Sequence, residues 1–455
     1  MAGDDFSVQG RRVVVLGAAR SGIAAAELLV RRGARVTLSE MRPHVEGLDR
    51  LRAAGVEVET GGHGAGTLRD AELIVTSPGV PLEHPDVVAA RAQGVEVIGE
   101  LELASRWLKG RVIAVTGTKG KSTTTTLIGR MLEAAGRPVL VGGNIGVPLS
   151  VQVDASTAET VHVVEASSFQ LETTSRFKPW IALWLNVADD HLDRHPDMQA
   201  YVAAKARILA NQDAGDVAVL NADDPIVAAQ RTAARRVWFS PSATAREGFV
   251  ADGAWIVRRT PTGREPMVPT AAVELSGRHM LDNVTAAVAV GWSAGVSGEA
   301  MTQALRGFRG LEHVMEPAGR IGEVRFVNDS KATNVEAARR SIESFPGGVV
   351  AIIGGRFKSG DLRDLVPALA AHGTAVVAIG EAAPLVTEAV RTVVPVITAG
   401  SMREAVEQAY QLARPAGVVL LAPACASFDW FSDYAERGRA FKREVEALQR
   451  NGGDR

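Results

Sequence analysis

Residues 112–127 read V-I-A-V-T-G-T-K-G-K-S-T-T-T-T-L, and their order decides the fold class at the centre of the chain. A β-branched strand runs into a glycine turn and then a polar helix start. That geometry aims backbone N–H groups and a helix N-terminus at nucleotide phosphates. Lys121 brings a cation to the same place, and Ser122 brings the small hydroxyl that a magnesium-bound nucleotide needs at this spacing. Gly117, Thr118, Lys119, Gly120 and Thr123 make up the rest of the expected nucleotide cradle. The general pattern G-x-x-x-x-G-K-[ST] has glycine where Val115 stands, so the loop is a T-G-T-x-G-K-S variant. A Gly/Thr-rich turn before an ordinary helix is the plainer reading; the complete strand, loop and helix outweigh it.

A chain of 455 residues has room for two or three domains, each burying its own core. Apolar residues make up 46% and charged residues 22%, so no compositional case for disorder exists. The formal net charge of −2 gives no broad footprint for nucleic acid or an anionic membrane, and neither is expected as a partner. Cys425 is the only cysteine, which excludes an internal disulfide and cysteine-cluster metal sites. The first ten residues carry Asp4 and Asp5 and lack an apolar core, so no secretory signal is expected. No uncharged apolar run approaches the roughly eighteen residues of a membrane span. A soluble cytoplasmic protein is expected, and nothing demands assembly beyond a monomer.

Outward from the loop, strand and helix patterns alternate along the whole chain. The first segment, 1–99, opens with a strand at 12–16, the turn Gly17-Ala-Ala-Arg-Ser-Gly22, a helix through Arg31 with Gly33 as its C-cap, and a strand at 34–39. Further strands are expected at 56–59 and 73–76. Ala19 replaces the middle glycine of G-x-G-x-x-G, which argues against a nicotinamide dinucleotide even though Glu40 could meet a ribose hydroxyl. The second segment, 100–310, adds strands at 161–165, 181–187 and 217–220, an antiparallel insertion or edge within 235–275, and a helix at 280–294. The third, 311–455, has strands at 324–327, 349–353, 375–379, 395–399 and 418–422 with helices between most of them. Three tandem α/β domains with doubly wound, mostly parallel sheets are predicted, the central one of P-loop type. Ligand sites belong at the carboxyl ends of such strands and in the clefts between domains.

Several polar groups fall on those strand ends. Glu165 closes V-V-E-A-S-S-F-Q-L-E, and Asp190-His191 follow a strand in N-V-A-D-D-H-L-D-R-H-P. Convergence on the rim that carries the phosphate loop favours a Mg²⁺ or Mn²⁺ site over a merely structural role. Lys205, by spacing alone, reads as a solvated helix lysine. His279 and Asn283 lie one helical turn apart and suit a base edge better than a transition metal. In Asn328-Asp-Ser-Lys-Ala-Thr-Asn334, capping alone could account for Asp329, Ser330 and Thr333, but Lys331 is not needed for a cap. Pro423-Ala-Cys-Ala-Ser-Phe428 could receive a carboxylate; Cys425 has no base and orienter and reads as a packing residue.

Taken in order, T-G-T-K-G-K-S-T, E-A-S-S-F-Q-L-E, D-D-H-L-D-R-H, N-D-S-K-A-T-N and A-P-A-C-A-S-F-D-W-F resemble the Mur ligases over essentially the whole chain. The loop variant is shared with folylpolyglutamate synthases, whereas the last two motifs are particular to members that add D-glutamate. The resemblance implies an ATP-dependent ligase that joins D-glutamate to UDP-N-acetylmuramoyl-L-alanine through an acyl phosphate, for peptidoglycan precursors. It implies that Ser77 and Gly79, with Ser21 and Arg42 nearby, contact the nucleotide sugar, and that Asn144 is a further binding position. Ser122 and Glu165 match one magnesium site. His191 and Lys205 match a second, Lys205 as a carbamate, which reverses its plain reading. Asn283 matches an adenine contact and Asp329 a nucleotide contact. Lys121, His191, Lys205 and Lys331 are the expected catalytic groups, and Lys331, Thr333, Lys358, Ser427 and Phe428 surround D-glutamate and the reacting groups.

Three positions depart from the pattern: Lys119 stands where asparagine is common, Met280 follows His279 in place of asparagine, and Val314 replaces the arginine of H-R-F-E. Another Mur ligase, a folylpolyglutamate synthase-like ligase or a P-loop NTPase switch are the alternatives at this point.

Overall fold

The structure is a computed structural model and describes every residue except 1–5, 46, 64–65, 189–193, 244–246, 274–277, 309, 358–359 and 453–455. The first sheet has the order β3-β2-β1-β4-β5, all parallel, from β1 (Arg12–Leu16), β2 (Arg35–Glu40), β3 (Glu57–Thr60), β4 (Leu73–Thr76) and β5 (Glu96–Gly99). The central sheet uses β6 (Arg111–Thr116), β7 (Val139–Gly143), β8 (Val161–Glu165), β9 (Ile181–Trp184), β10 (Val217–Asn221), β11 (Arg235–Ser240), β12 (Gly248–Asp252), β13 (Trp255–Thr260) and β14 (Gly263–Pro269). Its order is β14-β13-β12-β11-β10-β9-β6-β8-β7. The third combines β15 (Glu316–Ile321), β16 (Val324–Asn328), β17 (Val349–Gly354), β18 (Gly373–Ile379), β19 (Val396–Ala399) and β20 (Val418–Leu421) in the order β15-β16-β20-β17-β18-β19.

Two compact units contain these sheets: residues 1–308 hold the first and central sheets, and residues 309–455 hold the third. Within the first unit, Leu28 of the Arg20–Arg31 helix shares a buried cluster with Leu149 and Trp184 of the central layer. Arg31 and Arg32 add ion pairs to Asp154 at 3.0 and 2.7 Å. Buried Glu102 accepts the backbone N–H groups of Ser175 and Phe177, both at 2.9 Å, so its charge is met by fixed donors.

β6 sits between β8 and β9, and residues 112–116 of it are buried, as a parallel strand covered on both faces requires. Its continuous apolar run is why it was legible. The strand expected at 181–187 stops at Trp184, because Leu185 to Ala188 turn onto the phosphate loop. Within 235–275 the expectation of an antiparallel insertion holds only for β12 to β14; β11 pairs parallel with β10, and β12 parallel with β11. β5, β7 and β15 were not foreseen. β7 contains Gly142-Gly143, and β15 carries Pro317 at a register shift on a sheet edge, where a missing N–H is tolerated.

Candidate active site

In the first sheet the strand order reverses beside β1, so the loops after β1 and β4 meet there. Ser77, buried at the end of β4, donates its hydroxyl to Gly17 O at 2.9 Å. Gly22 has no alternative: a Cβ there would lie 1.9 Å from Gly17 O. Glu40, which could have met a ribose hydroxyl, is fully engaged instead. One oxygen accepts Ala18 N at 2.7 Å, and both carboxylate oxygens meet the exposed Arg42 guanidinium at 3.0 Å. Ser21 and Gly79 lie on the same rim, and Arg20 donates to Gly146 O of the central G-G-N-I-G loop.

The Arg42 guanidinium, followed by backbone N–H bonds, pulls the Glu40 carboxyl from 4.5 down to about 2. A depressed carboxylate stabilises the fold above its unfolded value and ceases to as pH falls through its folded one. Acidification between 4.5 and about 2 will therefore loosen the β1 turn. The protection of Ala18 N against hydrogen exchange, taken relative to its intrinsic rate at each pH, will fall there in the wild type, and a Glu40→Gln variant will show no extra loss over that interval.

In the central sheet, Gly117 to Gly120 lead from β6 into the Lys121–Ala134 helix. Gly120 has φ +84°, and a Cβ on it would stand 2.1 Å from Asn283 Oδ1, so the position accepts only glycine. Asn283, expected at the base, thus packs its amide against the loop itself. Lys121 Nζ donates to Gly117 O and Thr118 O at 3.0 and 2.9 Å. Lys205, 1% exposed, donates to the same Gly117 O at 2.7 Å, with its Nζ 4.6 Å from the Tyr201 ring centre. Tyr201 in turn shares a hydrogen bond of 3.0 Å with Thr118 Oγ1. The solvated lysine of the spacing argument is a buried one beside the phosphate loop. Ser122 and Thr123 open the helix, and the Lys119 side chain is exposed.

Glu165 ends β8 in register with Val115, and Ala166 N bonds to Val115 O at 2.9 Å. Its Oε1 accepts Asn144 Nδ2 at 2.7 Å, while its buried Oε2 has no hydrogen-bond partner among the described residues. An anionic oxygen held out of water without a donor is what a hard cation would satisfy. Among the described residues no group of three His, Cys, Asp or Glu side chains gathers. His191, with Asp190, lies outside the described residues, as does Lys358.

In the second unit β20 runs between β16 and β17, which brings three rim loops together. Asp329 is buried; its Oδ1 accepts Met315 N at 3.1 Å, its Oδ2 accepts Ser341 Oγ, and burial pushes its carboxyl up. The cap of the Val335–Glu343 helix is Asn334, which accepts Ala337 N at 2.8 Å. Capping therefore does not explain Asp329, Ser330 or Thr333. Lys331 and Thr333 stand half-buried at this turn, Ser427 is buried and Phe428 is 56% exposed. Burial pushes the Cys425 thiol up to about 12, which fits packing and not nucleophilic attack.

Arg437 is among the residues that the sequence reading did not single out. Arg437, 1% exposed on the Tyr434–Gly452 helix, donates to Ser330 Oγ, Ser330 O and Cys425 O at 3.0, 2.9 and 3.0 Å. It ties the N-D-S-K turn to the A-C-A-S loop. A lone arginine in an amphipathic helix carries no local mark of that job.

A cavity of about 670 Å³ opens at the amino ends of β6, β9 and β10, around Arg111, Trp180 and Lys178. Lys178 is already paired with Asp213 and Asp216 there, and none of the rim chemistry reaches it. No helix among the described residues is long and apolar enough to cross a membrane.

Known proteins align with this chain along its length. Residues 11–99 match the Mur ligase MurD-like N-terminal domain, 115–291 the Mur ligase middle domain, and 315–425 the Mur ligase glutamate ligase domain. The UDP-N-acetylmuramoylalanine–D-glutamate ligase of Acidobacterium capsulatum is 48% identical over 96% of this chain and 96% of its own length. That of Koribacter versatilis is 44% identical over 97% and 99%. Among solved structures, UDP-N-acetylmuramate-alanine ligase MurC from Thermotoga maritima shares the fold, with a TM-score of 0.56 at 19% identity over 96% of this chain and 100% of that one.

Proposed function

The chain belongs to the Mur ligase family, and from that premise we propose that it is an ATP-dependent ligase that adds D-glutamate to UDP-N-acetylmuramoyl-L-alanine in the cytoplasm. Residues 1–99 receive the uridine nucleotide, 100–310 ATP and 311–455 D-glutamate. Glu165 Oε2, buried beside the phosphate loop without a donor among the described residues, is the observation that supports the phosphoryl-transfer half. Full-length likeness to D-glutamate ligases supports the choice of amine.

The reaction must bring a carboxylate oxygen onto an already anionic γ-phosphate. Lys121, positioned on the loop carbonyls of Gly117 and Thr118, meets that charge once phosphate replaces those acceptors. Ser122 and Glu165, and at a second position His191 and Lys205, would hold magnesium, which when bound would supply charge screening for the transfer. For the second position the Lys205 amine attacks CO₂ and releases one proton, which leaves a carbamate oxygen as the donor. Lys121 and Lys205 both donate to the Gly117 carbonyl, which keeps the Lys205 nitrogen beside the phosphate loop. The resulting acyl phosphate is attacked by the D-glutamate amine, phosphate leaves and an amide forms. Lys331, Thr333, Lys358, Ser427 and Phe428 orient that amino acid, and Asp329 and Asn283 orient the nucleotide.

Phosphate release from ATP tests the reading. Release will require UDP-N-acetylmuramoyl-L-alanine and D-glutamate together and fall to background without either. Equal turnover with L-glutamate, or release that ignores the amino acid, would remove the assignment.

A further inference from the structure

The segment that leaves β9 wraps the phosphate loop. Leu185 N donates to Thr116 O at 3.0 Å, Thr118 N to Asn186 O at 3.1 Å, and Ala188 N to Thr118 Oγ1 at 3.0 Å. In the middle of it the half-buried Asn186 side chain grips the loop from both sides of one residue. Its Oδ1 accepts Thr118 N and Lys119 N at 3.0 and 2.9 Å, and its Nδ2 donates to Lys119 O at 3.1 Å. Two N–H groups converge on one end of the amide and a carbonyl faces the other, so only one orientation of the amide fits.

This divides the loop in two. The N–H groups of residues 118 and 119 are satisfied within the protein. Those of residues 120–123, in the first turn of the Lys121–Ala134 helix, have no carbonyl four residues back within the helix and point out of its N-terminus. Lys119 is also fixed at both its N–H and its C=O, which sets where its exposed side chain leaves the loop.

We propose that Asn186 is a positioning residue for the nucleotide. It satisfies the two N–H groups that would otherwise compete for phosphate oxygens, and it locks the loop so that the helix N-terminus alone meets the β- and γ-phosphates. The proposal rests on the ATP-ligase reading.

Calorimetric binding of ADP with Mg²⁺ tests it, beside thermal melting, on the wild type, Asn186→Ala, Asn186→Asp and Asn221→Ala. Asn221 Nδ2 donates to Leu185 O at 2.8 Å, so its loss loosens the same segment without touching the loop. The Ala variant at 186 will bind ADP about tenfold or more weakly, and its KM for ATP will rise while that for D-glutamate stays within about twofold. The Asp variant keeps both accepted bonds and will melt closer to the wild type, yet it will also bind ADP weakly, because a carboxylate now stands against the Lys119 carbonyl and near the anion. Asn221→Ala will melt lower but bind ADP within about twofold of the wild type. Wild-type affinity in Asn186→Ala, or an equal loss in Asn221→Ala, overturns the proposal. A wild type that does not bind ADP at all removes the ligase reading first.

Discussion

Lys205→Ala will lower phosphate release by about a thousandfold, and short carboxylic acids such as acetate will restore part of it. Lys205 lies in the Met198–Ala206 helix at 1% exposure, with Nζ 2.7 Å from Gly117 O on the phosphate loop. If the working form is the carbamate, truncation removes an anionic oxygen and leaves a space that a small carboxylate fits. If it is the ammonium, methylamine will rescue and acetate will not. Rates measured across both series separate the two, and full activity in the unrescued variant would remove any role for the residue. Depleting dissolved CO₂ offers an independent check, since only the carbamate loses activity. Tyr201 contacts the same side chain, so melting temperatures of variant and wild type must be compared before the rates are read.

The loop's fold was legible because its elements are local. A buried apolar strand, glycines at turn positions and a lysine at the helix start lie within sixteen consecutive residues, and β6 with its helix follows that order. Glu165 and Ser77 were legible for the same reason, each standing at the end of a recognisable strand. Lys205 was not, because its helix spacing is that of a solvent face and only the contact with Gly117, 88 positions away in sequence, reveals its burial. Arg437 and Asn186 failed in the same way: each acts through partners that the topology, not the neighbouring sequence, supplies. Glu40 shows the converse limit, since the sequence argued against a dinucleotide there without showing what the carboxylate does instead. Its place at the end of β2 was read correctly, but the side chain is taken by Ala18 and Arg42.

Glu165→Gln will nearly abolish phosphate release while leaving the ligand-free protein at least as stable as the wild type. The substitution keeps the shape and the oxygen that accepts Asn144 Nδ2 at 2.7 Å. What it changes is the buried Oε2, an anionic oxygen without a donor among the described residues, which becomes part of a neutral amide. Burying an unmet charge costs more than burying an unmet amide, so the variant gains up to about 1–2 kcal/mol in the absence of nucleotide. The same change removes the oxygen proposed to hold the cation, and release will fall by about a hundredfold or more. The two effects have opposite signs, which a merely destabilising substitution cannot produce. Melting with and without Mg²⁺ and ADP completes the test. At about a hundred times Kd the ligand stabilises the wild type by about 2–3 kcal/mol, and the variant will show little of this shift. A variant that melts lower and still gains the full ligand shift would mean that Glu165 supports the β8 strand end and not the metal. The stability given up at Glu165 in the free protein is then the measure of how strongly that strand end is prepared for a cation.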